Sequence, residues 1–173
     1  AFKVIYIAST KGRPFKGCIF FGLMLTPDGP KTIEYNCRFG DPETQVVLPL
    51  LESDLFDIFE AVYQERLSEI DVKFSTSKAA ACVVAASGGY PVKYQSGYEI
   101  SGLDGNGTSD KATVYHAGTK YEDGKFLTAG GRVLGITGIG STVKDALNNA
   151  YEAVDSISFQ DMHYRKDIGK QAL

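Results

Sequence analysis

At 173 residues, with 43% hydrophobic and 23% charged residues, the chain has the composition of a soluble globular protein of one domain or two small ones. A formal net charge of -3 gives it no overall basic footprint of the kind that gathers nucleic acid, and no apolar run is long enough to cross a bilayer. Three scattered cysteines, Cys18, Cys37 and Cys82, argue against a disulfide framework or a zinc cage. With no signal peptide in view, a reduced, cytoplasmic setting is expected. The chain opens at Ala1 directly in an apolar alternation of Phe2, Val4 and Tyr6, as expected for a segment of a longer protein.

The first legible unit is a β-hairpin. Residues 18–25 are rich in β-formers, Thr26-Pro27-Asp28-Gly29-Pro30 is a turn, and residues 31–39 form the second strand. Gly40-Asp41-Pro42-Glu43 ends that strand and suits the first turn of a helix. A short helix is expected over residues 44–51. A clearer one is expected over 52–66, with Ser53 as N-cap and Leu55, Ile58, Phe59 and Val62 at helical spacing. Residues 69–78 are polar and mark the boundary between two domains, residues 1–70 and 71–173.

Beyond the boundary the texture is β-rich. Residues 79–86 read as a buried strand, Ser87-Gly88-Gly89-Tyr90-Pro91 as a turn and residues 101–111 as a surface loop. Residues 113–119 and 125–128 suggest a hairpin around Glu122-Asp123-Gly124, and residues 132–138 a further strand. The best helix follows at 142–157, where Val143, Ala146, Leu147, Ala150, Val154 and Ile157 make one apolar stripe.

Side chains alternate faces along a strand. Over residues 31–39 this gives an apolar face, Ile33, Tyr35, Cys37 and Phe39, expected to pack on a core with Cys37 buried. The opposite face presents Glu34, Asn36 and Arg38 in a row, and the turn adds Asp41 and Glu43. A carboxylate and a carboxamide two residues apart can aim two oxygens at one hard cation, and an adjacent guanidinium can neutralise a phosphoryl group. On pattern alone the plainer reading stays ahead: this is the wet face of a half-buried strand. Gly130-Gly131-Arg132 could set donors near an anion, although a turn before a strand explains the pattern better. The glycines at 135, 138 and 140 fit strand and turn better than a phosphate loop, and His116 reads as structural.

The run from Gly22-Leu23-Met24-Leu25 through Glu34-Tyr35-Asn36-Cys37-Arg38-Phe39-Gly40-Asp41-Pro42-Glu43 closely resembles the phosphoribosylamine–glycine ligases (glycinamide ribonucleotide synthetases) of the ATP-grasp superfamily. The resemblance continues through Ser87-Gly88-Gly89-Tyr90-Pro91, His116-Ala117-Gly118-Thr119 and Gly130-Gly131-Arg132, and covers nearly all of the chain after about residue 17. It implies an α+β fold: the C-terminal portion of an ATP-grasp module, antiparallel strands plus helices, followed by a small β-rich domain with one long helix.

The resemblance also implies ATP- and Mg2+- (or Mn2+-) dependent ligation of glycine to phosphoribosylamine, through an acyl phosphate, in purine synthesis. Glu34 and Asn36 match the metal pair, and with Arg38 they would hold the nucleotide. Arg38 and Asp41 match residues at the reacting phosphate and the amine or glycine, and Arg132 a contributor to the substrate pocket. Small-molecule substrates and the N-terminal part of the same enzyme are the implied partners, and the chain alone is expected to be inactive. The alternative is a stand-alone binding or assembly module that reuses this architecture. A third possibility is an ATP-grasp ligase with another acid or amine.

Overall fold

The structure, a computed structural model, describes residues 3–4, 15–103 and 109–172. Phe2 and Tyr6 of the opening alternation, and residues 104–108 of the expected surface loop, lie outside the described residues. The fold is mixed α/β, with antiparallel sheets and few helices. The chain divides into two compact units, Ala1–Ser75 and Thr76–Leu173. The divide falls inside the polar stretch 69–78.

In the first unit, β1 (Lys3–Val4), β2 (Cys18–Thr26) and β3 (Gly29–Asn36) form a sheet in that order. The β2–β3 hairpin turns through Pro27-Asp28 and closes with Thr26 opposite Gly29. Gly29 sits at φ +93, a conformation that costs a residue without Cβ little. Thr26 Oγ1 donates to Gly29 O at 2.7 Å and locks the turn.

The helices that follow differ from expectation in detail. Residues 44–51 form α1 (Thr44–Val47) and a 3-10 turn at Leu48–Leu50, because Pro49 brings no N–H to an α-helical ladder. Helix α2 (Leu55–Tyr63) is capped by Asp54, whose Oδ1 accepts from Phe56 N at 2.7 Å, and not by Ser53. Ser53 Oγ instead accepts from Lys73 N at 2.8 Å, which ties the helix entry to the chain leaving the unit. Only Ile58 and Ala61 of α2 are buried, and Phe59 of the expected stripe is exposed.

The second unit has a three-stranded sheet in the order β4 (Ala79–Ala86), β8 (Arg132–Gly140), β5 (Ala112–His116). Helix α3 (Val143–Asp155) packs across it. Thr142 caps α3: its hydroxyl accepts from Asp145 N at 3.1 Å. Ala146, Leu147, Ala150 and Val154 of the apolar stripe are buried, while Val143 at the first turn stays exposed. Val83, Leu134 and Ile136 complete the core beneath them.

The small hairpin is β6 (Thr119–Glu122) with β7 (Lys125–Thr128), which corrects the expected strand over 113–119. Ala117-Gly118 divides that run, and its first half pairs with β8 instead. Gly118 passes so close to Gly130 that an added Cβ would lie 2.9 Å from its Cα, so the chain breaks the strand where the two backbones meet.

Candidate functional site

Glu34 and Asn36 lie two residues apart on β3 and share a face. Across the hairpin Asn36 pairs with Phe20 and Glu34 with Gly22. That second pairing exists because the ladder is irregular. From Thr26–Gly29 the register runs evenly to Leu23 opposite Thr32, then skips Ile33 and resumes at Gly22 opposite Glu34. An unbroken ladder would have set Gly22 against Ile33. The β-bulge also shifts alternation toward the turn: Thr32 Oγ1 lies 3.4 Å from Tyr35 Oη, so those two side chains share a face that strict alternation forbids.

The Glu34 carboxylate is exposed and has no hydrogen-bond or ion-pair partner among the described residues. Asn36 is half-buried, and its side-chain Nδ2 is buried without a partner. A half-turn of the amide brings Oδ1 to the same spot. Two unengaged groups on one strand face thus offer the oxygen donors that a hard divalent cation takes, with the remaining positions left for phosphate oxygens and water. Among the described residues no cluster of three or more His, Cys, Asp or Glu forms a metal cage.

Arg38 departs from the expected row. The strand ends at Asn36, so Cys37 and Arg38 lie in a bend whose course the pleat does not set. Arg38 Nη1 donates to Phe39 O at 2.9 Å, which folds the guanidinium back on its own turn. The same bend leaves Cys37 exposed and not buried. The expected apolar face is also open: Ile33 is 63% and Tyr35 64% exposed, and Tyr35 meets Phe21 edge-on with ring centroids 5.2 Å apart.

Asp41 is exposed one turn further on, where its Oδ1 accepts from Gln45 Nε2 at 3.0 Å. Just before Asp41, Gly40 is buried, with the Glu43 side chain folded over it and the Thr44 hydroxyl donating to its carbonyl. The turn is thereby fixed to the start of α1.

Arg132 belongs to the second unit. It opens β8 opposite Ala86 and is half-buried. The adjoining turns are clamped together. Ser87 Oγ donates to Gly130 O at 2.8 Å, Ser87 N donates to Gly131 O at 2.8 Å, and the Tyr90 ring occupies the space where a Cβ on Gly131 would stand. His116 is exposed at the end of β5, where Nδ1 lies 2.9 Å from Thr119 Oγ1 and the ring packs 4.6 Å from Phe126. The glycines at 138 and 140 lie within β8, where Gly138 lets the Ala146 and Ala150 backbone approach.

A family model described as the phosphoribosylglycinamide synthetase C domain matches residues 80–171, and one for the ATP-grasp (A) domain of the same synthetase matches residues 3–44. The chain belongs to the phosphoribosylglycinamide synthetase family. It is 47% identical over 165 residues to the phosphoribosylamine–glycine ligase of Caldanaerobacter subterraneus, a match covering 95% of this chain and 39% of that protein. It is 48% identical over 163 residues to the trifunctional purine biosynthetic protein adenosine-3 of Gallus gallus, covering 94% of this chain and 16% of that one. The crystal structure of the Thermotoga maritima phosphoribosylamine–glycine ligase superposes with a TM-score of 0.75 at 32% identity, over 91% of this chain and 38% of that one. The chain therefore spans well under half the length of these relatives. No helix among the described residues is long and apolar enough to cross a membrane.

Proposed function

We propose that this chain supplies the metal-and-phosphate wall of an ATP-dependent ligase that joins glycine to phosphoribosylamine to give glycinamide ribonucleotide. The reading rests on one observation above all: Glu34 and Asn36 stand on one strand face with a partnerless carboxylate and an orphaned, buried amide. The names of the relatives supply the substrates. In this reading the first unit carries the C-terminal portion of the ATP-grasp module and the second the β-rich domain, with the boundary near residue 70. The three free thiols support a cytoplasmic setting.

Glu34 and Asn36 are the residues that would hold Mg2+, or Mn2+. When bound, the cation offsets the charge of the phosphate oxygens. The glycine carboxylate attacks the γ-phosphorus and ADP leaves, giving glycyl phosphate. The amine of phosphoribosylamine then attacks the acyl carbon, phosphate leaves, and the amine's proton passes to solvent or a nearby base. Arg38, whose guanidinium is held on the Phe39 carbonyl, would offset charge on the transferring phosphoryl group. Asp41 holds the amine or glycine ammonium. For Arg132 we propose, from its motif, a part in binding substrate. Such chemistry is largely positioning and charge neutralisation.

The test is a chimera in which this chain replaces the matched region of the Caldanaerobacter ligase. Expected is ATP- and glycine-dependent formation of glycinamide ribonucleotide by the chimera and none by the 173-residue chain alone. A folded, ATP-binding chimera that is inactive, or that prefers another carboxylate, would contradict the reading. So would turnover by the chain alone, which favours a self-sufficient module.

A further inference from the structure

We propose that Gly22, with the β-bulge at Ile33, positions the Glu34 carboxylate and through it sets the affinity for a divalent cation, an inference that rests on the metal reading of Glu34 and Asn36. The two features act on the same side chain. The skipped residue brings Gly22 opposite Glu34, and the absence of a side chain there lets Glu34 lie down across β2. A Cβ on Gly22 would stand 3.0 Å from Glu34 Cγ, closer than carbon atoms rest, and 3.6 Å from Glu34 N. The backbone has room for that Cβ; the Glu34 side chain does not. Bulges recur beside functional sites because they re-aim one side chain. Here no hydrogen bond or ion pair from another described residue holds the Glu34 carboxylate, so its aim depends on the groove that the glycine leaves. Gly22 touches no reacting atom and is a positioning residue.

The experiment uses the 173-residue chain, isotopically labelled, with Mn2+ as a paramagnetic probe. Wild type, Gly22→Ala and Leu23→Ala are compared; Leu23 neighbours Gly22 on the strand but points to the opposite face. In wild type the Glu34 and Asn36 side-chain signals broaden first. In Gly22→Ala the same broadening needs about 10-fold more Mn2+, the lower end for loss of an orienting neighbour, while the Phe20–Asn36 cross-strand Overhauser effect persists. Leu23→Ala behaves as wild type. Broadening of Gly22→Ala at the wild-type Mn2+ concentration, with the hairpin intact, overturns the proposal. Should Mn2+ leave Glu34 of wild type untouched, the metal reading falls separately, and the Glu34 χ1 couplings decide the glycine's role. One fixed rotamer in wild type that becomes averaged in Gly22→Ala upholds positioning. An averaged rotamer in wild type overturns it without recourse to any variant.

Discussion

At the cap of α3, Thr142 and Asp145 serve one another. Thr142 Oγ1 accepts from Asp145 N at 3.1 Å and donates to Asp145 Oδ2 at 2.8 Å, and Ser141 Oγ donates to the same oxygen at 2.8 Å. Thr142→Ala should cost about 1 kcal/mol, the usual worth of such a cap, measured by urea unfolding. The Ser141 hydroxyl, and then that of Thr142, hold the Asp145 carboxyl below the usual carboxylate range. A carboxyl depressed in the folded state contributes stability above its unfolded value and loses it as pH falls through its folded one. Unfolding midpoints should therefore fall less steeply with acid in Asp145→Asn than in wild type. Equal slopes would remove Asp145 from the acid limb. An apolar stripe marks where α3 runs but not which residue caps it, so Thr142 reads from sequence as the first helical residue and proves to be the cap. The Asp54 cap of α2 was not legible either, because Ser53 and Asp54 both suit the position and only the chain's path past Lys73 divides their roles.

Packing of α3 on β8 depends on the absence of side chains at two places, Gly138 and Gly140. A Cβ on Gly138 would run into the Ala146 carbonyl and the Ala150 N–H, both backbone, so no rotamer change relieves it. Gly138→Ala should destabilise the second unit by about 1–3 kcal/mol through overpacking. An unchanged urea midpoint would show that α3 can slide. The elements themselves were largely readable. The hairpin follows from its Pro-Asp turn, β4 from an unbroken apolar run, and α3 from its stripe. What resisted reading were the long-range events. No residue type demands the skipped Ile33, so the partnership of Gly22 with Glu34 was hidden even though both residues were in view. The break at Ala117-Gly118 comes from the approach of Gly130 to Gly118, far along the chain, and no local pattern records it.

The two units present different kinds of surface. The second encloses a core in which Val83, Val133, Leu134 and Ile136 are fully buried, so hydrophobic burial supports it from its own residues. In the first, Leu23, Met24, Leu25, Ile33 and Tyr35 of the hairpin are exposed. Alternation identified the apolar residues but not that they lie open, since exposure depends on what else packs against the sheet. The relatives are more than twice as long as the region they share with this chain. Of the candidate site, strand alternation gave only the shared face of Glu34 and Asn36, their metal role coming from the resemblance alone, whereas Arg38 and Cys37 were misplaced because the strand stops at Asn36.

The most direct test of the metal-and-phosphate wall is the Mg2+ dependence of ligase turnover in the chimera bearing Glu34→Gln or Asn36→Ala. Expected is a Mg2+ activation constant raised about 10- to 100-fold, with kcat at saturating ATP and glycine lowered for Glu34→Gln. Wild-type Mg2+ dependence and wild-type kcat in both variants would contradict the assignment of Glu34 and Asn36.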